Sequence, residues 1–257
     1  MEIDLLVINA GNSRLAMGTF SAGELTNVAR VSIEHRSDWA AAIGAAWHPI
    51  ADKAGAAVAG ASVNPAAIEM VEHAVKAATN QPVQWVGRQL DLPLKNLTEK
   101  PEQTGADRLL NVAAAFEQMQ KACVVVDAGT AITINLCDDK GNFLGGAIAP
   151  GAGTMLKSLA EHTAKLPLVS LAVPEHAVGK TTEDAIRNGV YHGIRGMVKE
   201  IVENYATELG NWPEIIATGG DAQLLFDGWD LIHAISPDLT LYGIALAYAE
   251  HHIRHGS

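Results

Sequence analysis

Several things are scarce in this sequence, and each scarcity removes a class of protein. There are two cysteines in 257 residues, Cys123 and Cys137. They lie in separate apolar runs with no second Cys or His at metal-ligand spacing, so a disulfide scaffold and a cysteine zinc site are both excluded, and both read as reduced core thiols. Basic residues are few: 18 Lys and Arg stand against 29 Asp and Glu, a formal charge of −11. No Lys/Arg stripe is available to release counterions from a phosphate backbone, which argues against nucleic acid as a partner. Long apolar runs are missing as well. The uncharged stretch at 54–68 is too short to span a bilayer and is broken by Asn64-Pro65, so no membrane segment is expected. The start, Met1-Glu2-Ile3-Asp4, is acidic where a secretory signal is basic, which predicts a cytoplasmic protein.

What is abundant is aliphatic. Hydrophobic residues make up 48% of the chain and charged residues 18%, with aromatics at only 5%. That balance fits helices covering both faces of a buried sheet, and the length fits two domains of roughly 120 to 130 residues, divided as 1–118 and 119–257. The periodicity predicts strands near 5–9, 14–20, 25–31, 56–62 and 83–86, with helices near 37–47 and 65–79. A helix opens at Asp107 and runs to about 119. Strands then recur near 124–127, 131–136 and 143–148, followed by a helix over 182–209, a strand at 214–218 and a final helix over 239–252.

The recurrence is itself a signal. An offset of 118 sets Asn9 on Asp127, Gly11 on Gly129, Asn12 on Thr130 and the turn residue Gly23 on Gly141. A shared strand, turn, strand rhythm over about 25 residues points to an internal duplication. Each copy has a Gly-bearing bend where backbone N–H groups can approach phosphate oxygens. Only the second has a carboxylate, Asp127, at the strand end, where a cation accompanying phosphoryl transfer can be held. Ala217-Thr218-Gly219-Gly220-Asp221 is a third loop suited to a nucleoside. Asp107-Arg108 places a proton acceptor beside an anion binder at a helix start, or else is a helix-start carboxylate favoured by the macrodipole. Gly179-Lys180-Thr181 is not a Walker A loop, because the first Gly of that motif falls on Pro174. No Gly-x-Gly-x-x-Gly dinucleotide fingerprint is present. His251, His252 and His255 read as a solvated helix end, where the dipole favours cations.

Along nearly its whole length the sequence resembles the type III pantothenate kinase family. The resemblance rests on Asn9-Ala10-Gly11-Asn12-Ser13, Ser62-Val63-Asn64-Pro65, Gly105-Ala106-Asp107-Arg108, Asp127-Ala128-Gly129-Thr130, the run Gly145 to Gly151, Leu166-Pro167, Gly179-Lys180-Thr181-Thr182, Thr218-Gly219-Gly220 and Leu239 to Gly243. It implies a duplicated ribonuclease H-like fold of the actin-like ATPase and sugar-kinase superfamily, with two α/β domains around a central cleft. It also implies a homodimer and transfer of the ATP γ-phosphate to pantothenate, giving 4′-phosphopantothenate, the first step towards coenzyme A. By that resemblance Asp107 is the general base, and Gly105, Ala106, Asp107, Arg108 and Thr182 contact pantothenate. Asn9, Ala10, Gly11, Asn12, Ser13, Arg14, Leu15, Ala16 and Thr130 bind ATP. Mg²⁺ accompanies ATP, and Asp127 binds a monovalent cation, K⁺ or NH₄⁺.

Three positions depart from the family pattern: Asn9 and Asn135 stand where Asp is usual, and Thr98 where Tyr is common. One missing unit charge about 5 Å from a divalent ion forgoes roughly 3 to 7 kcal/mol of gross attraction at an effective dielectric near 20. Asn9 and Asn135 therefore leave open a paralogue that binds a nucleotide or metabolite without efficient transfer. Thr98 leaves open another small alcohol as acceptor.

Overall fold

The protein is described by a computed structural model over residues 3–255. Its first strands are β1 (Leu5–Ala10), β2 (Arg14–Ser21) and β3 (Glu24–Ser32), followed by helix α1 (Trp39–Trp47), β4 (Ala57–Ser62), helix α2 (Pro65–Thr79) and β5 (Val83–Trp85). Helix α3 (Ala106–Met119) leads to β6 (Cys123–Ala128), β7 (Ala131–Cys137), β8 (Phe143–Pro150) and helix α4 (Ala152–His162). Then come α5 (Thr182–Leu209), β9 (Glu214–Thr218), α6 (Ala222–Phe226), β10 (Ala234–Ile235) and α7 (Leu239–His255). Among the described residues no helix is long and apolar enough to cross a membrane.

The duplication is explicit in the sheets. One runs β3-β2-β1-β4-β5 and the other β8-β7-β6-β9-β10, the same order in both. In each, the first strand is antiparallel to the second and parallel to the fourth. Registers refine the sequence frame. Asn9 pairs with Ala16 and Asp127 with Thr133, so the offset of 118 on the first strand becomes 117 on the second, because the second hairpin turn is one residue shorter. Both second strands also carry a register shift at the corresponding place, between Thr19 and Phe20 and between Leu136 and Cys137. A bulge preserved at one point of both copies is a shape feature of the repeat itself.

The chain forms two compact units. The first comprises Met1–Lys95, Lys100–Ala114 and Leu239–Ser257, and the second comprises Asn96–Glu99 and Ala115–Asp238. In the first, alternate residues Leu6, Ile8, Leu15 and Met17 face α1 and α2, burying Trp39, Ile43, Val71 and Val75. The other face presents Leu5 and Val7 to Leu241 and Ile244 of α7. This final helix, which follows the second half in sequence, therefore packs on the first sheet. In the second unit Val124, Val126, Ile132 and Ile134 pack on Ile194, Val198 and Val202 of α5 and on Leu156 of α4. Cys123 and Cys137 are directly opposite one another on β6 and β7, buried and free, as their apolar surroundings predict.

Local chemistry explains the helix boundaries. Asn64 caps α2 by accepting from the Ala66 N–H at 3.2 Å, with Pro65 at the first helical position and Asn80 closing the far end in the left-handed region. Thr181 caps α5 by accepting from the Asp184 N–H at 3.1 Å, and its hydroxyl donates to the Asp184 carboxylate at 2.7 Å. Helix α4, α6 and β10 have no counterpart in the sequence reading: two glycines flank the start of α4, and the other two elements are five and two residues long.

Docking of α7 depends on one close approach. A Cβ at Gly243 would overlap the backbone carbonyl of Leu110. Gly243→Ala should therefore lower stability by about 1 to 3 kcal/mol, read as a reduced midpoint in urea or thermal unfolding.

Candidate active site

In both units the chemistry-bearing residues gather where the central parallel strands end. In the first, β1 ends at Ala10 and turns through Gly11, Asn12 and Ser13, with the Gly11 N–H donating to the Arg14 carbonyl at 3.0 Å. The neighbouring strand β4 ends at Ser62, whose hydroxyl donates to the Ala10 carbonyl at 3.0 Å and accepts from the Asn64 N–H at 3.0 Å. The Ser62-Val63-Asn64-Pro65 motif thus ties the first hairpin to the start of α2. Asn9 is half-buried, whereas Asn12, Ser13 and Arg14 are exposed around the bend.

Gly105 and Asp107 adjoin the same loop. A Cβ at Gly105 would lie 2.6 Å from Asp107 Oδ1 and 3.7 Å from Val63 Cγ1. Glycine therefore leaves the space that the carboxylate occupies. Asp107 sits in the first turn of α3, and its Oδ1 accepts from the Arg108 N–H at 2.8 Å. Burial pushes its carboxyl above the ordinary carboxylate value, against the lowering effect of the Arg108 N–H and of the Arg108 charge. The result is a desolvated acid at a helix start, with an arginine adjoining it in sequence.

In the second unit β6 ends at Asp127-Ala128 and turns through Gly129 and Thr130, with the Gly129 N–H donating to the Ala131 carbonyl at 3.0 Å. The parallel neighbour β9 ends at Thr218, paired with Asp127. Gly219 then takes φ +97°, and a Cβ there would lie 2.5 Å from Asp127 Oδ1 and overlap the Ala128 carbonyl. Only glycine meets both the positive φ and the close approach. The Asp221 N–H donates to the Ala128 carbonyl at 2.9 Å, which fixes this third loop against the hairpin.

Thr133 pairs directly with Asp127, and Asn135 lies two residues further on the same strand, so the three side chains share one face. Asn135 is fully buried and donates from Nδ2 to Thr133 Oγ1 at 2.9 Å. Carboxylate, hydroxyl and amide oxygens on one strand face make an oxygen-rich donor set, which suits a hard cation. A single carboxylate also fits Mg²⁺ that arrives with most of its coordination supplied by phosphate and water.

The turn at Thr130 connects to a cavity of about 650 Å³ lined by Pro150, Thr154, Met155, Leu159, Thr182 and Val190 among others. The Gly151 N–H and the Thr154 hydroxyl both donate to the Thr130 carbonyl, at 3.0 and 2.8 Å. Thr182, the first residue of α5, lies on the cavity wall. Thr154 is the residue the sequence reading passed over; the signal was the Pro150-Gly151 break after β8, which announces a new helix. Thr98 lies in the segment that bridges to β8, where Leu97 N–H donates to the Phe143 carbonyl at 2.9 Å, and its hydroxyl donates to Asn96 Oδ1 at 2.9 Å.

The family model for type III pantothenate kinase matches residues 5–204. A type III pantothenate kinase of Anaeromyxobacter sp. (strain K) is 34% identical over 251 residues, covering 95% of this chain and 98% of that enzyme. Another, of Dehalococcoides mccartyi (strain ATCC BAA-2266 / KCTC 15142 / 195), is 39% identical over 163 residues, and the match spans 63% of each chain. Among solved structures, the activator of the 2-hydroxyisocaproyl-CoA dehydratase from Clostridium difficile, with bound ADPNP, has a TM-score of 0.56 at 11% identity, covering 99% of this chain and 97% of that one. The architecture is thus the duplicated α/β fold of the actin-like ATPases and sugar kinases, and the chain belongs to the type III pantothenate kinase family.

Proposed function

We propose that this protein transfers the γ-phosphate of ATP to the primary hydroxyl of pantothenate, giving ADP and 4′-phosphopantothenate, the first step of coenzyme A synthesis. The observation that carries the reading is the half-buried Asp107 carboxylate packed against Gly105 at the start of α3, its pKa raised by burial, in a chain of this family. The acceptor oxygen attacks the γ-phosphorus, the bond from that phosphorus to the β–γ bridging oxygen breaks, and the acceptor proton passes to Asp107 Oδ. Burial makes this carboxylate a stronger base than an exposed one, which suits late proton acceptance. Arg108 offers a planar donor pair to the pantothenate carboxylate. Gly105, Ala106 and Thr182 complete the acceptor contacts in this reading.

The residues from Asn9 to Ala16 and Thr130 take the ATP phosphates, through the N–H groups and hydroxyls that Gly-bearing turns present. Asp127 is the carboxylate that would hold a monovalent cation, K⁺ or NH₄⁺, which together with Mg²⁺ brought by ATP would supply charge neutralisation to the transferring phosphoryl group. We place the enzyme in the cytoplasm as a homodimer.

Asp107→Asn should lower kcat at least about a hundredfold while ATP affinity stays within a few fold. The same change separates function from stability. Because burial raises the folded-state pKa, ionised Asp107 costs stability at neutral pH, and that cost vanishes below the unfolded pKa, where both states are protonated. The variant should therefore melt higher than the parent at pH 7, with the gain shrinking as pH falls towards 4. Parent activity should decline on acidification through the raised pKa, and unchanged turnover in the variant would reduce Asp107 to a helix-start carboxylate.

The two hairpins give opposite expectations. Asp127→Ala should weaken nucleotide binding and raise the K⁺ or NH₄⁺ concentration needed for activity; a parent enzyme indifferent to these ions would defeat that assignment. Asn9→Asp should tighten ATP–Mg²⁺ binding about twofold, since even a tenfold-attenuated attraction amounts to several tenths of a kcal/mol. A variant that melts lower and gains neither affinity nor turnover would show that the first hairpin has been rebuilt for a non-catalytic role.

A further inference from the structure

The end of α7 carries a donor set that the kinase reading does not use. His251 Nδ1 lies 3.3 Å from Asp91 Oδ2, and the His251 and His255 rings are 4.2 Å apart with planes inclined by 30°. One ligand atom from each of Asp91, His251 and His255 lies within 4.8 Å of the others, and no other group of three or more His, Cys, Asp or Glu side chains converges in this way among the described residues. The members come from two places in the first unit. Asp91 follows Leu90 in the segment after β5, and the histidines lie four residues apart on one face of α7.

We propose that Asp91, His251 and His255 bind a borderline transition-metal dication of the Zn²⁺ class at the surface of this unit, with water completing the coordination. Two ligand atoms of a tetrahedral ion with bonds of about 2.0 to 2.1 Å stand about 3.3 Å apart. The His251–Asp91 pair has that separation, so the ion takes the place of the proton between them. Two imidazoles and one carboxylate select Zn²⁺, Ni²⁺ or Cu²⁺ over the harder Mg²⁺ and Ca²⁺. His255 is partly oriented for the task. Its Nδ1 is 2.9 Å from the His251 carbonyl, and since a carbonyl only accepts, Nδ1 carries the hydrogen and Nε2 keeps the lone pair.

His252, which the sequence groups with these residues, is not in the set: its ring tilts onto Tyr248 with centroids 4.3 Å apart. Its place is taken by Asp91, distant in sequence. On ion binding, a shift of the exposed His255 side chain at the last turn of the helix would close the remaining gap to the third donor, now within 4.8 Å of the other two. The bound ion would pin the final turn of α7 to the segment carrying Asp91, and so stabilise the folded chain by mass action.

The test uses the full chain without an affinity tag, stripped with a chelator and titrated with Zn²⁺ by calorimetry, with Co²⁺ absorption as a spectroscopic reporter of geometry. We expect one ion per chain, a rise in Tm on Zn²⁺ addition, and affinity at least about tenfold weaker in His251→Ala, His255→Ala and Asp91→Asn. His176→Ala, in the second unit, should leave the affinity unchanged. His255→Gln, at an exposed position, keeps the fold and should still lose the Tm rise. Absence of stoichiometric binding by the parent, or parent-like Zn²⁺ affinity in the His251→Ala/His255→Ala double variant, overturns the proposal.

Discussion

The Asp127 carboxylate lies against the backbone of Gly219, and the functional edge of the second unit is arranged around that contact. Two parallel strands end side by side, and both must turn away without a side chain coming between them. Gly219 does this at φ +97°, in the space a Cβ would deny to Asp127 Oδ1. The Asp221 N–H then seals the Ala128 carbonyl at 2.9 Å, and the Gly151 N–H and Thr154 hydroxyl seal the Thr130 carbonyl. Backbone groups that would otherwise be left without partners at strand ends are thus satisfied by neighbouring loops. The first unit solves the same problem with other residues: Ser62 closes the Ala10 carbonyl, and Gly105 makes room for Asp107.

Much of this was legible in the sequence because duplication multiplies weak signals. A lone Gly-bearing turn is ordinary, but two turns in one frame, each followed by the same strand rhythm, specify a repeated α/β unit, and the common strand order bears that out. Strong periodicity and caps located α2, α5 and β9 at their observed bounds. What was not legible has physical causes. The one-residue shortening of the turn between β6 and β7 leaves the glycine spacing unchanged, with Gly11 on Gly129 and Gly23 on Gly141, so the glycine frame alone conceals it; the register, where Asp127 meets Thr133, sets Leu15 and Met17 on Ile132 and Ile134. The placement of α7 on the first sheet depends on complementarity between Gly243 and the Leu110 backbone, a contact between residues far apart in sequence. The same applies to Asp91 and His251, 160 residues apart along the chain.

An Asn at 135 is intelligible from its surroundings. The residue is fully buried, and its Nδ2 donates to the Thr133 hydroxyl oxygen. An amide can be desolvated there because its dipole is partnered, whereas a second carboxylate near Asp127 would carry a much larger burial cost unless a cation accompanied it. The row Asp127, Thr133, Asn135 consequently holds one formal negative charge.

That charge count bears on which ion the second hairpin can hold within the proposed function. A site with one carboxylate and neutral oxygen donors balances a monovalent cation, while a divalent ion would be left with excess positive charge unless phosphate came with it. Within the proposed function, such a donor set would suit K⁺ or NH₄⁺ as the resident ion, with Mg²⁺ entering and leaving with the nucleotide. The first hairpin, with Asn9 in the corresponding place, supplies no carboxylate, and within the proposed function it leaves recognition to turn N–H groups, hydroxyls and the exposed Arg14 guanidinium. In this arrangement the two copies of the hairpin differ by one residue in the turn and by the carboxylate at the strand end, while the bulge and the strand order are retained, and the strand-end carboxylate is present only at Asp127.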